Sequence, residues 1–137
     1  MGEKAESTKS QQENLKLTIT LQGKEGAIGI RKNVIKVLDA PRFVALRISY
    51  KNNSLLLIPC EQQDVMSYEI PHNFLKGRHV NFRIHSLSFV KELLEYNELD
   101  SDTTYILEGA YASQMNAVVF PLETAKLMTE SDSSGEE

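Results

Sequence analysis

The chain has 137 residues, is 41% hydrophobic, and carries 15 lysines and arginines against 19 acids, a formal charge of -4. That is the size of one ordinary domain able to bury its own core. Its single cysteine, Cys60, excludes an internal disulfide, and no apolar run approaches the ~20 residues of a membrane span.

The ends are polar. Residues 1–14 lack periodicity and are expected to form a disordered arm without a secretory leader. Residues 126–137 close on Ser131-Asp132-Ser133-Ser134-Gly135-Glu136-Glu137 and read as a disordered acidic tail. Between them, residues 15–125 read as one domain in which bases and acids nearly balance. Net charge therefore gives no argument for a nucleic-acid partner, and only a local basic patch would carry one. Cysteine usage and the missing leader fit an intracellular, cytoplasmic location.

In chain order, Leu15, Leu17, Ile19 and Leu21 alternate with polar residues, the period of a half-buried strand. Gly23-Lys24-Glu25-Gly26 is a turn, and Ala27 to Ile30 completes a hairpin. Asn33 reads as a helix N-cap, with Val34, Val37 and Leu38 on one face of about two turns. Asp39-Ala40-Pro41 stops the helix, because the residue before proline avoids helical geometry. Val44, Leu46, Ile48 and Tyr50 form the next alternating strand, and Lys51-Asn52-Asn53-Ser54 the turn after it. Leu55 to Ile58 is apolar at every position, which predicts a strand covered on both faces and ended by Pro59. Cys60 reads as a small buried hydrophobe.

After a polar connector, Ser67 to Ile70 and His79 to Ile84 read as strands flanking a loop. Ser86 or Ser88 caps a longer helix carrying Phe89, Val90, Leu93 and Leu94. Thr104 to Ala112 and Ala117 to Phe120 form the last hairpin, with Gly109 marking a bulge.

The order strand, helix, strand, turn, strand therefore occurs twice, in 15–60 and 67–122. Ile30 corresponds to Ile84, Pro59 to Pro121, and the two hairpin turns to each other. The expected fold is mostly β with short helices: a pseudo-twofold β-barrel built from two strand-helix-hairpin repeats.

The segment Gly26-Ala27-Ile28-Gly29-Ile30-Arg31-Lys32-Asn33-Val34-Ile35-Lys36-Val37-Leu38 resembles the AbrB-like, or SpoVT/AbrB, swapped-hairpin family. Gly26 matches its turn glycine, Ile30 and Lys32 its strand end, Val34 and Leu38 its apolar helix positions, and Leu55 to Pro59 its closing strand. The match is detailed over 15–60 and only in outline over 67–122. It implies a barrel of two exchanged hairpins that binds DNA, here with both halves in one chain. Ala27 stands where that family often has a DNA-contacting arginine, Arg31 replaces its usual proline, Asp39 its helix-ending glycine, and Ile35 one of two often basic positions.

No catalytic signature, cofactor motif or metal-spaced ligand set stands out, and the chain does not read as an enzyme. Glu92, Glu95 and Glu98 read as a solvated helix face, and His72, His79 and His85 as structural. The basic side chains carry the functional expectation. Arg31, Lys32 and Lys36 cluster at the first helix with Arg42 and Arg47 following; Lys76, Arg78 and Arg83 lie before the second. On one face these would contact phosphates, with Asn33 or Asn81 reaching base edges. The resulting expectation is a DNA-binding transcriptional regulator. The alternative is a protein interaction module or inhibitor that keeps the barrel without DNA, acting as monomer or homodimer.

Overall fold

The computed structural model describes residues 17–61, 67–71, 73–77 and 81–128. In chain order the elements are β1 (Leu17–Gln22), β2 (Ala27–Arg31), α1 (Lys32–Val37), β3 (Phe43–Ser49), β4 (Ser54–Cys60), β5 (Ser67–Glu69) and β6 (Asn81–His85). Then follow α2 (Leu87–Tyr96), β7 (Thr104–Ala112), β8 (Ala117–Pro121), a 3-10 turn (Leu122–Thr124) and β9 (Lys126–Leu127). The expected arm at 1–14 and histidines 72 and 79 lie outside the described residues.

All pairings are antiparallel, in the order β5-β3-β4-β8-β7-β1-β2-β6, with β9 added to β7. This is a nearly closed eight-stranded barrel with two short helices. Alternate residues point inward, as a strand's period of two requires. Ile19, Leu21, Ile28, Ile30, Ile84, Leu107, Leu55, Leu57 and Phe120 are all fully or almost fully buried there. Each such side chain contributes on the order of 1.5–3 kcal/mol relative to an exposed one.

The pairing order has an exchange property. Replacing β1–β4 by β5–β8, element for element, turns β1–β7 into β5–β3 and β3–β4 into β7–β8, while β2–β6 and β4–β8 return to themselves. The exception is β1–β2, whose counterpart β5–β6 is not formed among the described residues. The elements are unequal: β5 has 3 residues against 6 in β1, and α2 has 10 against 6 in α1. The seam between β5 and β6 is filled by the loop after β5, whose Phe74 packs 5.8 Å from Phe82 while Ile70 is buried.

Several boundaries differ from the sequence reading. Helix α1 starts two residues earlier than an Asn33 cap implies: Arg31 is the cap, with extended backbone and no side-chain cap bond, because β2 runs straight into the helix. Ser86 caps α2 by position, also without a side-chain bond. The first hairpin turn is 50–53, since Ser54 already pairs with Ser49. Asn53 and Asn116 end the two hairpin turns at φ 50° and 51°. Counted from these residues, Pro59 and Pro121 lie one residue out of step. Strand β4 is not covered on both faces: Leu55 and Leu57 are buried, but Leu56 and Ile58 point outward and are half-exposed. Cys60 is a half-buried free thiol. Lys126–Leu127 pairs with Ile106 and Tyr105, so the tail read from 126 gives its first residues to the sheet.

Gly109 marks a corner. Strand β7 pairs with β1 up to Gly109 and with β8 from Ala110. A Cβ on Gly109 would fall 2.4 Å from the Val119 carbonyl oxygen and 2.5 Å from the Phe120 ring, so only glycine lets the strand cross between sheets there. Among the described residues, no helix is long and apolar enough to cross a membrane.

Candidate nucleic-acid interface

Strands β2 and β6 set the geometry. Ile28 opposes Ile84 and Ile30 opposes Phe82, and all four are buried. The intervening residues lie on the other face of the pair: Arg31 is in register with position 81, Gly29 with Arg83, and Ala27 with His85; Arg83 and His85 are exposed there, whereas Ala27 and Gly29 are covered. Arg31 and Arg83 are diagonal neighbours on one face, a relation that brings Cα atoms to about 7–8 Å. Arg83 is exposed and Arg31 half-buried.

Gly29 shapes the ground beside Arg83. It lies in register between Thr20 of β1 and Arg83 of β6. A Cβ there would meet the Thr20 hydroxyl at 2.5 Å, so the buried glycine leaves room for that side chain. Ala27, the position where the resemblance leads one to look for an arginine, is fully buried (0% exposed). A cation at that site would be desolvated, so any anion must be met from Arg31 and Arg83 instead.

The first helix continues the rim. Lys32 opens α1, and its ammonium donates to the Gly77 carbonyl at 2.5 Å and stands 5.9 Å from the Phe74 ring centroid. This contact draws the 73–77 loop to the start of α1 and with it Lys76, which is exposed. Lys36 is exposed in the last turn of α1. Arg31, Lys32 and the 73–77 loop that carries Lys76 thus meet where β2 passes into α1, with Arg83 diagonal to Arg31 on β6.

The remaining expected residues fall elsewhere. Arg42 is exposed but pairs with Glu69 at 3.6 Å and lies 5.4 Å over the Phe43 ring. Arg47 projects from the other sheet, opposite Leu56, with its guanidinium donating to the Leu46 carbonyl at 2.9 Å. Asn33 is half-buried inside the first turn of α1. Arg78 lies outside the described residues, as does the side chain of Asn81.

Among the described residues, two titratable groups depart from ordinary behaviour, and neither belongs to the basic rim. The hydrogen bond to Glu92 raises the Tyr50 phenol above its usual value. The Asp102 backbone N–H, which Asp100 accepts at 3.0 Å, lowers the Asp100 carboxyl below its own. Among the described residues, no three His, Cys, Asp or Glu side chains converge to hold a metal ion.

The sequence reading missed the cluster of Tyr50, Glu92 and Tyr96. Two exposed tyrosines 46 positions apart meet edge to face at 5.2 Å, and the Tyr50 hydroxyl donates to Glu92 at 2.5 Å. Local periodicity carries no signal of such a pairing, because the contact joins a hairpin turn to a distant helix end. No protein-family model, curated protein or solved structure matches this chain.

Proposed function

We propose that the chain is an AbrB-like, cytoplasmic DNA-binding regulator in which one chain supplies both halves of the barrel. The exchange property of the strand pairing supports the two-halves reading. The observation that carries DNA binding is the diagonal of Arg31 and Arg83 across β2 and β6, with Lys76 drawn to the start of α1 by the Lys32 bond to Gly77 and Lys36 exposed on the same helix. Arginine forks and lysine ammonium groups spaced along one rim suit successive phosphates, which fix position without reading sequence. Thr20, beside Gly29, adds a neutral hydroxyl able to donate to a phosphate oxygen.

The test is titration of a fluorescein-labelled 20-base-pair duplex of mixed sequence at low salt, followed by anisotropy. The expected result is saturable binding that weakens steeply as salt is added. Absence of binding at low salt rejects the reading.

The second reading is a protein interaction module. It is favoured by Leu56, Ile58 and Val119, which are half-exposed on the outer face of β4 and β8, and by the internal engagement of Lys32 and Arg42. A purified chain that binds no duplex but retains one stoichiometric protein selects this reading.

A further inference from the structure

We propose that the Tyr50–Tyr96 pair, at the end of the barrel away from the basic rim, is a docking surface for an arginine-bearing segment of a partner protein. Strands β2 and β6 are antiparallel, so α1 and α2, which begin at their C-terminal ends, start from opposite ends of the pair. The surface is therefore distinct from the proposed DNA rim and is tested without DNA.

The two tyrosines are held but not buried. Tyr50 opens the β3–β4 turn and is 51% exposed; Tyr96 closes α2 and is 56% exposed. Their edge-to-face contact is fixed by the Tyr50 hydroxyl bond to Glu92 and by Asn53 Nδ2 donating to Asn97 Oδ1 at 2.7 Å. Asn97 in turn donates to the Leu93 carbonyl at 2.9 Å. The rings are thus presented in one orientation, which removes much of the ordering cost of binding.

The architecture does not require this pair. The second hairpin turn ends in Asn116 as the first ends in Asn53, and there Ser113 stands in the place of Tyr50. Both helices end in the same left-handed geometry, at Asp39 and Glu98, and Val37 stands in the place of Tyr96. One half thus closes the corresponding elements without aromatic residues.

Charge selects the occupant. Glu92, Glu95 and Tyr96 share one face of α2 by helical spacing, and both glutamates are exposed. Glu98 follows, also exposed. The bases nearest in sequence are Lys51, which is exposed, Arg47, whose guanidinium donates to the Leu46 carbonyl at 2.9 Å, and Lys91, whose ammonium is engaged by the Ser101 carbonyl at 2.9 Å and Asp102 at 3.4 Å. A planar guanidinium both stacks on a tyrosine face and takes a carboxylate bidentately, whereas an ammonium does not stack as a plane. An aromatic pair edged by carboxylates therefore fits arginine better than lysine.

The experiment titrates the full chain with two labelled, end-blocked peptides, four arginines alternating with glycines and four lysines alternating with glycines, at equal salt. The arginine peptide is expected to bind several-fold more tightly. Tyr96→Ser weakens it about three- to fivefold, the range of an exposed cation–π contact. Glu95→Lys also weakens it while leaving the Tyr50–Glu92 and Asn53–Asn97 bonds intact, which separates lost charge from a loosened clamp. Glu61→Lys, an exposed acid beyond β4, leaves binding unchanged. Equal affinity for the two peptides, no binding of the arginine peptide, or an unchanged affinity in Tyr96→Ser overturns the proposal.

Discussion

Asp39 and Glu98 occupy the same place in two different helix ends. Each is the residue after the cap, in the left-handed region at φ 68° and 57°. Each helix closes with the same pair of backbone bonds. Asp39 N–H donates to Lys36 O and Ala40 N–H to Ile35 O; Glu98 N–H donates to Glu95 O and Leu99 N–H to Leu94 O. This is a Schellman ending, in which glycine is the favoured left-handed residue because it has no Cβ to clash. Asp39→Gly and Glu98→Gly should each raise stability by about 0.5–1 kcal/mol. The two gains should add, because the helices are separate. Urea midpoints of the single and double variants check this.

Gly109→Ala should destabilise by about 1–3 kcal/mol, the cost of forcing extra volume into a packed site. The added methyl meets both the Val119 carbonyl and the Phe120 ring at the corner of β7. Chemical denaturation at constant pH measures the loss. An unchanged midpoint would mean the corner relaxes freely.

Lys32 and Lys36 should part company on mutation. Lys32→Ala removes the donor to Gly77 and the cation over Phe74, and should cost about 1 kcal/mol of stability. Lys36→Ala touches an exposed side chain and should stay within about 0.5 kcal/mol of the parent. Thermal melts of the two variants, run beside duplex titrations, separate a folding defect from lost phosphate contact.

Asp100 gives an acid-side pH dependence. Its carboxylate accepts the Asp102 N–H, which lowers its pKa in the folded chain. A depressed carboxyl contributes stability that is present above the unfolded value and is lost as pH falls through the folded value. Stability should therefore decline on acidification through and below about pH 4. Asp100→Asn should flatten part of that decline. Urea midpoints of both proteins across that range test the sign.

Local pattern was legible and distance was not. The alternation of Leu17, Ile19 and Leu21, and of Val44, Leu46 and Ile48, announces strands because each pleated face meets a different medium. Turns were readable where Gly26 or Asn53 takes positive φ. The start of α1 was misread because Arg31 caps by backbone alone, so a rule based on side-chain caps had nothing to detect. Among the basic residues, sequence proximity failed in both directions. Arg47 is only 16 positions from Arg31 yet projects from the other sheet, whereas Arg83, 52 positions away, is its diagonal neighbour. Pairing register decides that relation, and register depends on which strands meet.

The salt dependence of duplex binding by the parent and by the Arg31→Ala, Arg83→Ala double variant tests the central claim most directly. The slope of log K against log salt counts phosphates neutralised, at about 0.9 per contact. The parent should show a steep negative slope, and the double variant should lose about two units from its magnitude. A slope identical in the two proteins, or no duplex binding by either, would contradict the account.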